Sequence, residues 1–185
     1  MGLAAVIFAG GKATRLGGVD KVMIEVAGRT LLSRSVDAVR GAERIVVVGP
    51  AREIGAAVRW VREEPPGSGP LAALAAGVEA LADLPDDTHV AVLAGDLLGI
   101  GPRTVAKLRS ALDENPAVLG ALLVDAEGFT QWMHAVWRLA ALRAAVPPDS
   151  VGRSLKSVLG GLPLTLIPAQ RGEADDVDAP GDLPA

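Results

Sequence analysis

The stretch that decides the fold reads VIFAGGKATRLGGVDKVMIEVAG and covers residues 6–28. It begins inside a continuous apolar run, residues 3–9, which is typical of a strand buried on both faces of a sheet. Gly10 and Gly11 follow at once, and because glycine has no Cβ the backbone there can turn sharply and approach a phosphate closely. A buried strand that ends in two glycines predicts an α/β sheet with an anion site at the carboxyl end of its first strand.

Cations are concentrated in and beside this glycine loop. Lys12, Arg15 and Lys21 lie there, and Asp20 is the only acid among the first 21 residues, although the whole chain has a formal net charge of −4. A cationic loop in an acidic protein indicates a small anionic ligand, and a solvated surface turn is the alternative interpretation. The spacing matches neither GxGxxG nor GxxxxGK[ST], so the segment predicts a phosphate-binding loop of a third kind.

Strand and helix patterns alternate along the rest of the chain. After an extended segment at 22–26, further strands are predicted at residues 44–48, 58–61, 89–94, 117–124, 132–136 and 164–167. Helices are predicted at residues 31–39, 70–81, 102–113, 139–146 and 151–159, and residues 172–185 are predicted to be irregular. This order indicates a three-layer α/β/α, Rossmann-like fold with a mostly parallel central sheet, in a single domain over residues 1–185.

Composition narrows the class of protein and of cofactor. The chain has 185 residues, no cysteine and only two histidines, His89 and His134. Disulfides and cysteine-ligated metals are excluded, and we expect any metal to be a hard cation such as Mg²⁺ on carboxylates and phosphates. No apolar run reaches the length of a membrane span and no basic signal region opens the chain, so we expect a cytoplasmic protein with no membrane partner. The acidic balance argues against a nucleic-acid partner.

Polar motifs follow several predicted strands at the edge where a ligand is expected. Asp96 comes directly after the strand at 89–94, and one carboxylate with phosphate oxygens is a usual way to hold Mg²⁺; a turn or capping aspartate is the alternative. Asp178, in DDVDAPGDL, is a candidate second ligand or part of a solvated tail. The loop EEPPGSGP, residues 63–70, falls at the same edge. His134 is either a substrate contact or, more simply, a half-buried strand residue.

Several of these motifs resemble one known family. FAGGKATRLGGVDK, residues 8–21, is similar to the signature L-A-G-G-x-x-x-R-M-G-x-D-K of the cytidylyl- and guanylyl-type nucleotidyltransferases. GSGPLAALAAG, VLAGDLLGI and DVDAPGDL resemble, in the same order, the G-P-L-A-G helix start, the strand ending in an aspartate and the D-V-D-T-P-E-D-L tail of that superfamily. The likeness is greatest to the molybdenum cofactor guanylyltransferases and covers nearly the whole chain. It implies a nucleotidyltransferase fold.

The resemblance also implies a reaction and its residues. A terminal phosphate of molybdopterin would attack the α-phosphorus of GTP and pyrophosphate would leave, which needs positioning and charge stabilisation more than a nucleophilic side chain. By analogy, Arg15 would stabilise the pyrophosphate, Lys21 would neutralise charge at the α-phosphate, and Asp96 would hold Mg²⁺ with Asp178. The nucleotide-binding residues implied are Phe8, Ala9, Gly10, Gly11, Lys12, Arg15, Lys21, Glu64, Gly69, Pro70, Leu71 and Asp96.

Departures from the family pattern leave alternatives open. Glu64 stands where the family often has aspartate, and Leu98 stands where many members have proline. A carboxylate at Glu64 favours guanine, since it can accept from the N–H edge of that base, but a relative that uses CTP or another phosphorylated acceptor is the runner-up. A non-catalytic nucleotide-binding relative is a further alternative, weighed against the joint presence of Arg15, Lys21 and Asp96. Client molybdoenzymes or their chaperones are expected as partners that receive the product.

Overall fold

The computed structural model describes residues 1–10 and 20–175. Within these ranges seven strands form one sheet and two strands form a short hairpin. The strands are β1 (Leu3–Phe8), β2 (Glu25–Val26), β3 (Arg29–Thr30), β4 (Arg44–Val48), β5 (Arg59–Val61), β6 (His89–Ala94), β7 (Gly120–Val124), β8 (Thr130–Arg138) and β9 (Leu164–Pro168). The helices are α1 (Leu31–Ala38), α2 (Pro70–Glu79), α3 (Pro102–Glu114), α4 (Leu139–Ala145) and α5 (Leu155–Leu159). None of these helices has the length and apolarity that a membrane span needs.

The seven-stranded sheet is mostly parallel, as predicted. Its strand order is β5-β4-β1-β6-β8-β7-β9. Only β8 runs against its neighbours, β6 and β7, whereas the pairs β1–β4, β1–β6, β4–β5 and β7–β9 are parallel. All six residues of β1 are buried, which is what a strand flanked by two parallel neighbours and covered on both faces requires. The carboxyl ends of β1, β4 and β6 therefore meet at one edge of the sheet.

The two faces of the sheet pack against different helices. On β1, Ala5 and Ile7 belong to the core shared with α1 and α3, whereas Val6 and Phe8 belong to the core shared with α2, α4 and α5. This alternation is the two-residue period of a strand, and it lets one short apolar run contribute to both cores. The predicted three-layer α/β/α arrangement is confirmed.

The extended segment predicted at residues 22–26 is wrong in its first half. Lys21–Met23 form a 3₁₀ turn, and the Met23 N–H donates to the carbonyl of Asp20 at 2.9 Å. Only Glu25–Val26 is extended, as β2 of the hairpin. The apolar pattern marked a segment that is partly buried, but turn and strand share that pattern over so few residues.

The last predicted helix begins four residues later than expected. Residues 151–159 carry a helical pattern, but Gly152 has a φ of +69°, in the left-handed region that interrupts a helix. Ser154 then caps α5, since its hydroxyl accepts from the Ser157 N–H at 3.1 Å. The cap and the glycine together decide where the helix starts.

Candidate active site

The carboxyl ends of β1 and β6 lie side by side. Phe8 pairs with Ala94, and the Gly95 N–H donates to the carbonyl of Phe8 at 2.8 Å, so the chain leaves both strands at the same level. A Cβ at Gly95 would lie 2.9 Å from that carbonyl oxygen, so the close approach requires glycine. Asp96 follows directly, two residues after the end of β6.

Lys21 and Asp96 form an ion pair at this edge. Lys21 Nζ lies 2.7 Å from Asp96 Oδ2, and the two side chains are 22% and 20% exposed. Lys21 is held by the 3₁₀ turn, whose buried Val22 packs toward Gly95. Because both charged groups reach solvent, a phosphate and a metal ion can replace them as partners without unfolding their surroundings. The structure thus brings together two of the three residues predicted to be catalytic.

Four of the predicted site residues lie outside the described residues. They are Gly11, Lys12, Arg15 and Asp178. Their predicted roles in holding the triphosphate and the metal stay predictions.

The predicted nucleotide-binding residues on β1 and α2 are mostly buried. Phe8, Ala9 and Leu71 have 8%, 1% and 0% of their surface exposed, so their side chains belong to the core. Gly69 has a φ of +96° and precedes Pro70, the first residue of α2, as the sequence predicted for this helix start. The roles predicted for these residues would therefore depend on packing and on backbone groups.

Two adjacent glutamates in the loop before α2 differ in their surroundings. Glu64, the residue singled out from the sequence, is exposed, whereas Glu63 is 8% exposed. Glu63 Oε1 accepts from the Gly67 N–H at 2.8 Å and would lie 3.8 Å from a Cβ at Gly10. Glu63 Oε2 is buried without a hydrogen-bond partner among residues 1–10 and 20–175. No local pattern distinguishes Glu63 from Glu64, because both lie in the loop after β5 and the burial of Glu63 depends on Gly10 and Gly67.

Arg52 is a second residue that sequence reasoning missed. It follows β4, and its guanidinium donates to both carboxylate oxygens of Asp20 and to the carbonyls of Ala9 and Pro50. Nothing in its local sequence marks it, because Asp20 and Ala9 lie 32 and 43 residues away along the chain.

The segment after β9 returns to the centre of the sheet through a buried glutamate. Glu173 accepts from Thr104 Oγ1 at 2.5 Å, from Lys107 Nζ at 2.8 Å and from the Gln170 N–H at 2.8 Å. Burial by itself would raise the pKa of Glu173, but these hydrogen bonds outweigh it and hold the pKa below its usual value. The segment is thereby attached to α3.

This segment also contacts the loop that follows Asp96. The Leu98 N–H donates to the carbonyl of Asp175 at 2.9 Å, and a Cβ at Gly99 would collide with the backbone of Gly172. A proline at position 98, common in the family that the sequence resembles, has no N–H to donate. The Leu98 amide therefore makes a hydrogen bond that a proline at this position could not make.

His134 is more deeply buried than a half-buried strand residue. It lies on β8 in register with Leu93, it is 4% exposed, and neither ring nitrogen has a hydrogen-bond partner in the described part of the chain. Burial lowers the pKa of His134 to about 4, against opposing charges on Asp96 and Glu173 that raise it. His134 is therefore neutral at pH 7 and lies in the core near the site.

Carboxylates are the candidate metal ligands of this edge. Within the two described ranges no group of three or more His, Asp or Glu side chains could hold a metal ion. Asp96 is partly exposed just after β6, and a single carboxylate suits Mg²⁺, which keeps several waters and binds substrate phosphates. The partly exposed carboxylate of Asp96 thus fits a magnesium–nucleotide complex better than a dedicated protein cage.

Comparison with known proteins then decides the family. A model described as the MobA-like NTP transferase domain matches residues 5–163. The chain belongs to the MobA-like NTP transferase family. It is a nucleotidyltransferase, and the edge that carries Lys21 and Asp96 is its candidate active site.

Relatives of this nucleotidyltransferase carry several names. The molybdenum cofactor guanylyltransferase of Acidiphilium cryptum is 34% identical over 158 residues, which cover 77% of this chain and 70% of the relative. The bifunctional protein GlmU of Xanthobacter autotrophicus is 34% identical over 173 residues, which cover 86% of this chain and 38% of GlmU. The crystal structure of 2-C-methyl-D-erythritol 4-phosphate cytidylyltransferase from Thermus thermophilus has a TM-score of 0.72, covers 96% of this chain and 93% of its own, and is 21% identical. The last comparison shows the shared fold.

Proposed function

We propose that this nucleotidyltransferase moves GMP from Mg²⁺-bound GTP onto the terminal phosphate of molybdopterin or the molybdenum cofactor and releases pyrophosphate. The observation that carries the proposal is the ion pair of Lys21 and Asp96, 2.7 Å apart at the joined ends of β1 and β6. The relative named molybdenum cofactor guanylyltransferase, at 34% identity, supports the choice of substrates. We expect the product to pass to client molybdoenzymes or their chaperones in the cytoplasm.

The reaction needs no nucleophilic side chain. An oxygen of the acceptor phosphate attacks the α-phosphorus of GTP, the bond from that phosphorus to the bridging oxygen breaks, and the electron pair leaves with pyrophosphate. Lys21 stabilises the charge that develops at the α-phosphate, and Arg15 stabilises the pyrophosphate. Both substrates are anionic, so positioned cations contribute to binding and to rate.

Asp96 is the proposed ligand of Mg²⁺, with Asp178 as the second. Mg²⁺ bound there would neutralise phosphate charge and orient the triphosphate. The hydrogen bond from the Leu98 N–H to the Asp175 carbonyl supports the second ligand, because it holds the chain three residues before Asp178 beside the Asp96 loop. With both bound, Lys21 would contact phosphate and Asp96 would hold Mg²⁺ in place of the ion pair that they form with each other.

The remaining proposed contacts surround the nucleotide. Glu64 is exposed at the loop before α2, where its carboxylate can accept from the N–H edge of guanine. The other residues proposed to hold the triphosphate, ribose and base are Phe8, Ala9, Gly10, Gly11, Lys12, Gly69, Pro70 and Leu71.

Nucleotide choice and chemistry can be tested separately. Thermal unfolding with GTP, CTP, ATP and UTP, each with Mg²⁺, should show the largest rise in Tm with GTP. Incubation with Mg²⁺-GTP and molybdopterin should then yield pyrophosphate and a GMP-linked pterin. A larger shift with CTP would overturn the guanine assignment, and pyrophosphate release with no pterin product would overturn the acceptor.

A further inference from the structure

We infer that Arg52 is a positioning residue of the nucleotide site, which holds Asp20, and through it Lys21, at the carboxyl end of β1. The Arg52 side chain is 14% exposed; its Nε donates to Asp20 Oδ2 at 2.5 Å and its Nη2 donates to Oδ1 at 3.0 Å. Its Nη1 donates to the carbonyls of Ala9 at 3.0 Å and Pro50 at 2.8 Å. The part that Lys21 plays rests on the proposed function.

One guanidinium therefore bonds two segments that flank the glycine-rich stretch of the sequence. Ala9 leaves β1, and Asp20 begins the 3₁₀ turn that carries Lys21, because the Asp20 carbonyl accepts from the Met23 N–H at 2.9 Å. A guanidinium is planar and its donors have fixed directions, so these hydrogen bonds set the separation between the end of β1 and the start of the turn. The ammonium group of Lys21 is placed by that separation.

Arg52 is itself held by tight backbone packing after β4. Gly49 has a φ of +148°, and a Cβ there would lie 2.7 Å from the carbonyl carbon of Ala9. The Gly49 N–H donates to the carbonyl of Val61 at 2.9 Å. The loop that carries Arg52 thus packs closely against the residue after β1 and is hydrogen-bonded to β5. These contacts fix the backbone from which the Arg52 side chain extends.

A matched arginine at the other end of β4 separates positioning from stability. Arg44 binds both carboxylate oxygens of Asp83, at 2.9 Å for Nη2 and Oδ2, and donates to the carbonyl of Ala80 at 3.4 Å. The side chains of Asp20 and Asp83 are 46% and 67% exposed, so solvent screens both ion pairs and neither contributes much to global stability. Arg52→Met and Arg44→Met should lower Tm by similar small amounts.

Amide hydrogen exchange tests the positioning without any nucleotide. In Arg52→Met and in Asp20→Asn, the Met23 amide should exchange at least tenfold faster than in the wild type, and in Arg44→Met it should be unchanged. Unchanged exchange in Arg52→Met would overturn the inference. If the wild type binds none of the four nucleotides, the proposed function is wrong. The exchange of the Met23 amide still tests the positioning role of Arg52 in that case.

Calorimetric titration with Mg²⁺-GTP tests the consequence for binding. Kd should rise at least tenfold in Arg52→Met and in Asp20→Asn, and the double variant should lie within twofold of the weaker single variant, because both changes break one linkage. Arg52→Lys keeps the charge without the bidentate geometry and should recover less than half of the lost affinity. Full recovery in Arg52→Lys, or wild-type binding by Asp20→Asn, would mean that Arg52 acts through charge or touches the nucleotide directly.

Discussion

On the proposed mechanism, Lys21 would contact phosphate and Asp96 would hold Mg²⁺ in the nucleotide-bound enzyme. Asp96→Asn and Lys21→Met should each lower kcat about a hundredfold, equivalent to about 3 kcal/mol of barrier. Global stability should change by less than about 1 kcal/mol, because the pair is partly exposed and solvent screens it. Steady-state kinetics of pyrophosphate release, with urea unfolding of the same samples, measures both quantities.

The control for this pair is an ion pair elsewhere on the surface. Asp86 binds Arg143 near α4, so Asp86→Asn should leave kcat at the wild-type value. Wild-type kcat in Asp96→Asn, or an equal loss in Asp86→Asn, would contradict the assigned roles.

His134 links stability to pH at the scale of one side chain. Because burial lowers its pKa to about 4, the unfolded chain takes up a proton at higher pH than the folded chain does. His134 therefore makes its full contribution to the free energy of unfolding above pH 6.5. This contribution is lost as the pH falls toward 4. Between pH 7.5 and 5.0 the wild type should lose about 2 kcal/mol more free energy of unfolding than His134→Leu.

Urea unfolding at the two pH values checks this difference. Part of the pH dependence should remain in His134→Leu, because burial also lowers the pKa of His89 on β6. Equal losses in the wild type and in His134→Leu would show that His134 takes up its proton at the same pH in the folded and the unfolded chain.

At the scale of elements, helix α2 packs on β1 through a glycine. A Cβ at Gly77 would lie 2.4 Å from Val6 Cγ1 in the centre of the sheet. Gly77→Ala should therefore destabilise the protein by about 1–3 kcal/mol despite the better helix propensity of alanine. Gly41→Ala is the control, since nothing lies within 4 Å of its Cβ position and its stability should change by less than about 0.5 kcal/mol. Urea unfolding compares the two variants, and equal stability would mean that α2 shifts to admit the methyl group.

The elements that the sequence predicts well are those whose burial is periodic. β1, β6 and α3 lie within one residue of their predicted bounds, because apolar period and flanking turns mark them locally. The turn at Lys21–Met23 was missed, since three residues carry no period and Val22 is buried by contact with Gly95, far away in sequence. The sequence predicts which residues are buried better than it predicts which residues they contact.

The candidate site was predictable to a similar extent. The glycine loop and Asp96 are recognisable because strand ends and glycines have local signatures, and the structure brings Asp96 to Lys21. Arg52 and Glu63 have no such signature, since their importance depends on neighbours that only the folded chain supplies. Sequence patterns therefore identify the site residues that have a local signature, whereas the others are identified only from their contacts in the folded chain.

At the scale of the whole molecule, Glu173 attaches the segment after β9 to α3. Glu173→Ala removes the acceptor of three hydrogen bonds, including that from Lys107, and should destabilise the protein by about 2 kcal/mol at pH 7.5. Because the pKa of Glu173 is lowered, the difference between wild type and variant should shrink as the pH falls below 4.5. Urea unfolding measures it, with Glu127→Ala in the exposed turn before β8 as the control. An equal effect of both changes would contradict the attachment.

The bond between the Leu98 amide and the Asp175 carbonyl joins the middle of the chain to a segment that is translated much later. While the ribosome is still making β9, the loop after Asp96 has emerged without the backbone that will cover it. On the proposed function, a nascent polypeptide therefore lacks this attachment of the nucleotide site until residue 175 has been made and has left the ribosome.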